Sequence, residues 1–330
     1  MRKITIEDIS RDTGLSRGTV SRALNDRPDI STQTKQRVLE ACRKLNYVPS
    51  HAARSLATGR NYAVAVLVED LRTAFAAGLV RGVIARASQE RYAVHLVETG
   101  HDPKPEKLRV FSSERIDGAL NAIRLDSLLA SELRDIIENR VLVSCWPHRD
   151  VACDVLTPDH VEAGRMVARF LLRNQTRRML YVHRAAAETD DQRLSGFQEI
   201  CQEHGVDPAT ATATVSSSET VDELIPQIEN AEAVVAADDY LAVSIMLLCE
   251  RIGRRPGENL AIIGYGNEPV GPAIFPSLTT VDFDGVEVGR RMMETLLQRI
   301  AQKRMDNPQL TRIAPLLIER ATTQHLSQPA

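Results

Sequence analysis

Apolar residues recur at helical spacing through the first fifty positions, and the period then changes. Ile6 and Ile9 share one face of a short segment that Thr5 is placed to cap, with Glu7 and Asp8 in its first turn, where acids suit the positive end of a helix. Gly14 supplies a residue able to take positive φ. Leu15 is the expected buried turn residue, and Ser16 opens a second helix. There Val20, Ala23 and Leu24 point inward and leave Arg17, Gly18, Ser21 and Arg22 on the outer face. A third helix, capped near Ser31, carries Val38, Leu39, Cys42 and Leu45. This predicts a helix-turn-helix unit over residues 1–48.

From Tyr62 onward, short Val/Ile/Ala-rich runs alternate with amphipathic stretches. The runs span 63–68, 92–97, 118–123, 141–144, 179–182, 233–237 and 260–264. Helical patterns lie between them, near 76–90, 127–139, 162–173, 191–204, 240–251 and 286–302. The alternation predicts βαβ units and parallel sheets covered on both faces. It is too long for one mononucleotide-type sheet, so two similar subdomains are expected, with the polar, proline-containing stretch 147–158 as a crossover.

Charge separates the two regions. Residues 1–60 hold 12 Lys+Arg against 6 Asp+Glu, a net of +6; the remainder holds 29 against 38, a net of −9. A basic head on an acidic body suits a phosphate-binding module tethered to something else. Of the 330 residues, 43% are hydrophobic and 26% charged, ordinary for a soluble globular protein. No run approaches the roughly 18 apolar residues of a membrane span. The start of the chain reads as a capped helix and not as a secretory signal. Cys42, Cys145, Cys153, Cys201 and Cys249 are scattered and form no CxxC pair, which predicts reduced, buried thiols in a cytoplasmic protein and no metal site. No cofactor is expected.

The stretch Tyr47-Val48-Pro49-Ser50-His51-Ala52-Ala53-Arg54-Ser55-Leu56 begins with a proline suited to a helix's first turn, and Ala52, Ala53 and Leu56 share a face. About eight residues are too few for a stable helix without a partner. Leu56 between Arg54 and Arg60 is a candidate minor-groove wedge; the same segment also reads as a linker.

The chain resembles the LacI/GalR (lac-repressor/purine-repressor) family of transcription regulators. The resemblance rests on Ile4-Thr5-Ile6-Glu7-Asp8-Ile9, Gly14-Leu15-Ser16, Thr19-Val20-Ser21-Arg22-Ala23-Leu24-Asn25 and the stretch from Leu45 through Ala57. It continues with Arg193-Leu-Ser-Gly-Phe197, Asp239-Tyr-Leu-Ala242, Pro276-Ser-Leu-Thr-Thr-Val281 and Ile318-Glu-Arg-Ala-Thr-Thr323. It implies an all-α helix-turn-helix headpiece (1–48), a hinge helix and linker (49–60), and a bilobed, periplasmic-binding-protein-like α/β core (61–330). One subdomain would span about 61–150 and 285–305, the other about 155–282 and 315–330, with further crossovers near 282–284 and 304–315.

The resemblance also implies double-stranded operator DNA, a small-molecule effector and a homodimer as partners, with no membrane. The expected DNA contacts are Thr5, Ser16, Arg17, Gly18, Thr19, Ser21, Arg22 and Asn25, with Tyr47, Ser50, Ala53, Arg54 and Leu56 of the hinge region. Arg17 and Arg22 are the base-reading or phosphate-anchoring pair. The tail after Arg320 has no heptad, which favours a dimer over a coiled-coil tetramer.

In open parallel sheets, ligands sit beyond the carboxyl ends of the strands. That points to Asp70, Arg72, Phe75, Arg124, Trp146, Arg193, Asp239 and Asn267 as effector-site candidates. The family resemblance implies effector contacts for Arg193 and Asp239, although Asp239 also reads as a helix cap. Trp146 reads equally as a stacking platform and as a packing residue. Arg72, Arg124 and Arg193 near strand ends allow an anionic effector such as a sugar phosphate; the plainer reading makes Arg72 and Arg124 solvated charges. Two departures from the family pattern bear on the ligand. Asp70-Leu-Arg-Thr-Ala-Phe75 replaces an Asn-Pro-Phe-type turn, and Gly264-Tyr265-Gly266-Asn267-Glu268 lacks the aspartate that many relatives place after Gly-Tyr.

An enzyme is not expected. Gly264-x-Gly266 comes too late and is incomplete as a dinucleotide fingerprint, and there is no nucleophile elbow or P-loop. The runner-up, a solute-binding receptor sharing the bilobed core, lacks support from any export signal and leaves the basic headpiece unexplained.

Overall fold

The computed structural model describes residues 4–24, 27–47, 59–100, 102–104, 106–108, 116–136, 141–147, 151–184, 188–206, 212–215, 218–302 and 307–327. Asn25 and the expected hinge, including Ser50, Ala53, Arg54 and Leu56, lie outside the described residues. The chain forms two compact units, Met1–Tyr62 and Ala63–Ala330.

The first unit holds α1 (Ile6–Thr13), α2 (Arg17–Leu24) and α3 (Thr32–Lys44). Asp8 accepts from the Thr5 backbone N–H at 3.0 Å and from its hydroxyl at 2.9 Å. Gly14, at φ 67°, ends α1, in a conformation that costs a residue with a Cβ. Ser16 and Ser31 accept from the N–H groups of Thr19 and Thr34, and so cap the next two helices. Ile9, Val20 and Val38 are fully buried among Ala23, Ala41, Cys42 and Tyr47, with Leu15, Leu24 and Leu45 half-buried against them. Two expectations are corrected here. Leu39 is 47% exposed, because one residue past Val38 is about 100° around the helix. Tyr47, expected among the DNA contacts, packs into this core.

The second unit begins with β1 (Ala63–Val68), α4 (Ala74–Gln89), β2 (Ala93–Glu98), β3 (Gly118–Asn121), α5 (Ser127–Ile136), β4 (Val141–Ser144) and β5 (Asp154–Pro158). It continues through α6 (His160–Arg173), β6 (Met179–Arg184), α7 (Glu188–Glu203), β7 (Thr212–Val215), α8 (Ile225–Asn230), β8 (Ala233–Ala236) and α9 (Asp239–Arg251). It ends with β9 (Ala261–Tyr265), α10 (Val270–Ala273), β10 (Thr279–Asp282), α11 (Gly285–Gln302), β11 (Leu310–Ile313) and β12 (Leu316–Ile318).

Two six-stranded sheets result, ordered β11-β5-β4-β3-β1-β2 and β12-β10-β9-β8-β6-β7. The first is parallel throughout; in the second, β12 runs antiparallel to β10. Strands covered on both faces, such as β1, β3 and β4, are buried at every position, whereas the edge strand β2 is not.

The stretch 147–158, expected to be a crossover, contains β5 of the first sheet, and the chain crosses only at Asp159. That strand is hard to read from sequence because its first residue is a buried acid. Asp154 binds the Arg299 guanidinium through two hydrogen bonds of 2.6 and 2.7 Å. Similarly, β11 belongs to the first sheet, so the last crossover narrows to the residues between Ile313 and Leu316.

Glycines set the helix pairs that flank each sheet. Gly82 and Gly289 bring α4 and α11 into backbone contact: a Cβ at either would collide with the carbonyl of Val286 or Leu79. In the second lobe, Gly164 and Gly196 do the same for α6 and α7, and the carbonyl that meets Gly164 is that of Arg193.

Candidate nucleic-acid interface and ligand cleft

The outer face of α2 is a row of donors on a small, rigid support. Arg17, Gly18 and Arg22 are exposed, and Thr19 and Ser21 are half-buried. The inward residues Val20 and Ala23 fix the face that α2 turns outward. The Ser16 and Thr19 hydroxyls lie 2.9 Å apart at its start. Arg22 donates to Asp29 at 3.1 Å, with both side chains half-exposed. Such a pair is worth about 0–1 kcal/mol, so it holds the guanidinium without consuming it. A Cβ at Gly18 would meet only the Ser16 hydroxyl oxygen, at 3.8 Å, which leaves this turn of the helix low.

In the second unit, β1/β3 and β6/β8 are the places where strand order reverses. Loops leaving the carboxyl ends of these strands, with the helices that follow them, carry six of the eight effector candidates: Asp70, Arg72, Phe75, Arg124, Arg193 and Asp239. Arg193 is 8% exposed on α7. It donates to the Ala237 carbonyl at 3.1 Å and lies 3.4 Å from the Asp190 carboxylate. Its Cζ sits 4.8 Å from the centre of the Tyr265 ring and 5.9 Å from that of Phe283, while its Nε has no hydrogen-bond partner. Phe283 in turn packs on His160 at 4.7 Å, and His160 lies parallel to Trp146 at 6.4 Å. Arg124 covers Trp146 at 5.1 Å and pairs with Glu188 across the two lobes. Burial holds the His160 imidazole neutral, down to about 3, with Arg193 and Arg124 adding to the effect.

Asp239 is fully buried and does not cap its helix; Asp238 does, accepting from the Leu241 N–H at 2.8 Å. Asp239 instead accepts from the Thr280 hydroxyl at 2.6 Å and the Glu268 N–H at 2.7 Å. Burial raises its carboxyl to about 6, against the pull of these hydrogen bonds. Asn267, in the turn after β9, donates to Asp282 at 2.9 Å and accepts from Arg320 at 2.6 Å. Arg72 is exposed but forks onto Asp70 at 2.7–3.0 Å, and Phe75 packs against the core of the second lobe.

The structure therefore joins Arg124, Trp146 and Arg193 through an aromatic chain, and ties Asp239 to Asn267 through Thr280, whose hydroxyl accepts from the Asn267 N–H. Arg72 pairs locally with Asp70.

A family profile described as bacterial regulatory proteins, lacI family, matches residues 5–50, and one described as a periplasmic binding protein-like domain matches residues 168–323. The HTH-type transcriptional repressor PurR of Vibrio vulnificus (strain CMCP6) is 25% identical over 339 aligned positions, covering 98% of this chain and 99% of that protein. The chain belongs to the LacI/GalR family of transcription regulators. An HTH-type transcriptional regulator of Lachnoclostridium phytofermentans is 26% identical over 97% of this chain and 99% of its own length. The fold is shared with the lac repressor bound to ONPG in its repressed state (TM-score 0.76, 20% identity, 98% of this chain and 100% of that one). It is also shared with the transcriptional regulator CelR–cellobiose complex (TM-score 0.69, 24% identity, 97% of this chain and 100% of that one).

For this LacI-family chain, sequence reasoning missed His160, Tyr265, Glu268 and Phe283. His160 follows directly on β5, the strand hidden by its acid. Tyr265 and Glu268 flank the Gly266 turn, and only the folded turn sets the Glu268 side chain beside Gly266. All five cysteines are buried free thiols. Among the described residues, no cluster of His, Cys, Asp and Glu has the arrangement of a metal site, and no helix is long and apolar enough to cross a membrane.

Proposed function

We propose that this LacI-family regulator is a repressor of a carbon-source or related metabolic operon, acting in the cytoplasm at the nucleoid and catalysing no reaction. As a homodimer it holds a near-palindromic operator, with α2 of each subunit in the major groove. Arg17 and Arg22 read bases or anchor phosphates, while Thr5, Ser16, Thr19, Ser21 and Asn25 set the register. The observation that carries this reading is the exposed donor face of α2 within a first sixty residues of net charge +6. Leu56 from each subunit acts as the wedge in the minor groove at the operator centre.

The effector is a neutral, ring-shaped polar molecule. Each candidate arginine already carries a carboxylate of its own: Asp70 for Arg72, Glu188 for Arg124 and Asp190 for Arg193. An anionic ligand would have to displace one of them. The free Arg193 Nε and the Trp146, Tyr265 and Phe283 rings suit a ring face with a polar rim. The names of the CelR–cellobiose complex and of a ribose-bound regulator from Enterococcus faecium point the same way.

Selection of duplexes from a random pool, followed by titration of the selected complex with neutral sugars, sugar phosphates and purines, tests both parts. A preferred duplex whose affinity responds to neutral sugars is expected. No preference over competitor DNA would remove the regulator reading, and a response to sugar phosphates alone would remove the neutral-ligand reading.

A further inference from the structure

The cleft lacks the aspartate that many relatives place after Gly-Tyr, yet a carboxylate stands beside the gap. A Cβ built on Gly266 would lie 3.5 Å from Cγ and 3.6 Å from Oε1 of Glu268. The Glu268 side chain therefore lines the space that a side chain at position 266 would enter. Glu268 is 6% exposed, and its two oxygens accept from one donor, the Ala74 backbone N–H, at 3.0 and 3.1 Å.

This hydrogen bond joins two lobes. Ala74 opens α4 on the first sheet, and Glu268 lies just past β9 of the second. The helix supplies its own cap for a later donor, since Thr73 accepts from Ala76 at 3.2 Å. For Ala74, the partner is carried by the other lobe. The turn presenting Glu268 is held from below, because its backbone N–H is bound by the buried Asp239.

Two opposing effects act on this contact. A carboxylate at a helix N-terminus gains from the donor and the dipole. Against this, the carboxylate is desolvated, and it faces Asp239 and Asp238 at the start of α9 and Asp70 in the loop after β1, all of which raise its proton affinity. Arg72 and Arg184 are engaged by Asp70 and Asp238 respectively. A contact balanced in this way can be made or broken by modest changes in the cleft.

We propose that Glu268 is the interlobe latch of this regulator: its carboxylate, packed beside Gly266, holds the α4 N-terminus when the lobes close and releases it when they open. This rests on the reading of the cleft as the effector site, and it gives a ligand there a route to shift lobe closure. Glu268 is thus a positioning residue, and its two obvious substitutions should act in opposite directions. Glu268→Gln keeps an acceptor of the same length and removes the crowded charge, so it favours closure. Glu268→Ala removes the acceptor and leaves the Ala74 N–H to water, so it favours opening.

The test uses the full chain with spin labels at Ser88→Cys in the first lobe and Gln202→Cys in the second, with labelled subunits diluted into unlabelled ones. Lobe separation and operator affinity are read on the same preparations. Glu268→Gln should shorten the separation and Glu268→Ala lengthen it, with operator affinities displaced to opposite sides of the parent and roughly fivefold or more apart. Equal displacement in one direction, or none, overturns the latch. Should Glu268→Ala fail to fold, Glu268→Gln decides alone: an unchanged or longer separation refutes the idea. If none of the proteins prefers any duplex, the regulator reading fails, while the lobe distances still judge the latch.

Discussion

Two buried ionisable residues give the core a pH dependence whose sign can be worked out. His160 is driven from 6.5 to about 3, so its contribution to stability is intact above 6.5 and is lost as pH falls toward 3. Asp239 is raised from 3.8 to about 6, so its contribution is complete below 3.8 and is lost as pH rises through 6. The two oppose each other between these limits, and His160 spans the wider gap. His160→Gln should therefore gain on the parent protein as pH drops from neutral to about 4; thermal midpoints of the pair across that range read it, and a constant offset would contradict it. On the headpiece, releasing Arg22 from Asp29 costs little. Arg22→Ala should weaken a selected operator by about 1–3 kcal/mol and relax preference at one base pair if the contact is bidentate. A uniform loss on all duplexes would assign Arg22 to phosphate.

At the scale of elements, close backbone approach matters more than helix propensity. Alanine normally gains about 1 kcal/mol over glycine inside a helix. At Gly82 the added Cβ meets the Val286 carbonyl, and overpacking of that kind costs about 1–3 kcal/mol or more. Gly82→Ala is expected to destabilise the core to denaturant while leaving ligand response intact. Gly164→Ala should be destabilising in the same way and also weaken ligand response, because it pushes on the backbone of Arg193. Equal ligand response in the two variants would break the link between the α6–α7 contact and the cleft. The strands show the same division of causes. Continuous apolar runs such as β1, β4 and β9 were legible because both faces are covered. β5 was not legible, because a buried acid paired with an arginine some 145 residues away opens it, and β7 and β11 were too short and polar to stand out.

At the scale of the molecule, the proposed homodimer would need an apolar surface, and Phe275 is 95% exposed in the single chain. Burying a phenylalanine is worth about 1.5–3 kcal/mol, and a two-fold interface counts each substitution twice. Phe275→Asp should raise the dimer dissociation constant by roughly tenfold or more in sedimentation and lower operator affinity in step with it. A dimer of unchanged strength would move the interface elsewhere, among residues such as Tyr240 and Leu247.

Local rules determined much of this protein: helical period, capping residues, the Gly14 turn, the charge contrast and the alternation of apolar runs are all properties of neighbours in the chain, and they carried the headpiece, the fold class and the placement of Arg193 and Asp239. Tertiary structure alone decided what those residues meet. The pairing of Arg124 with Glu188, the packing of Tyr47 into the core and the reach of Glu268 across to Ala74 join positions brought together by packing, and burial then changes their charge and hydrogen bonding in ways that spacing along a chain does not encode.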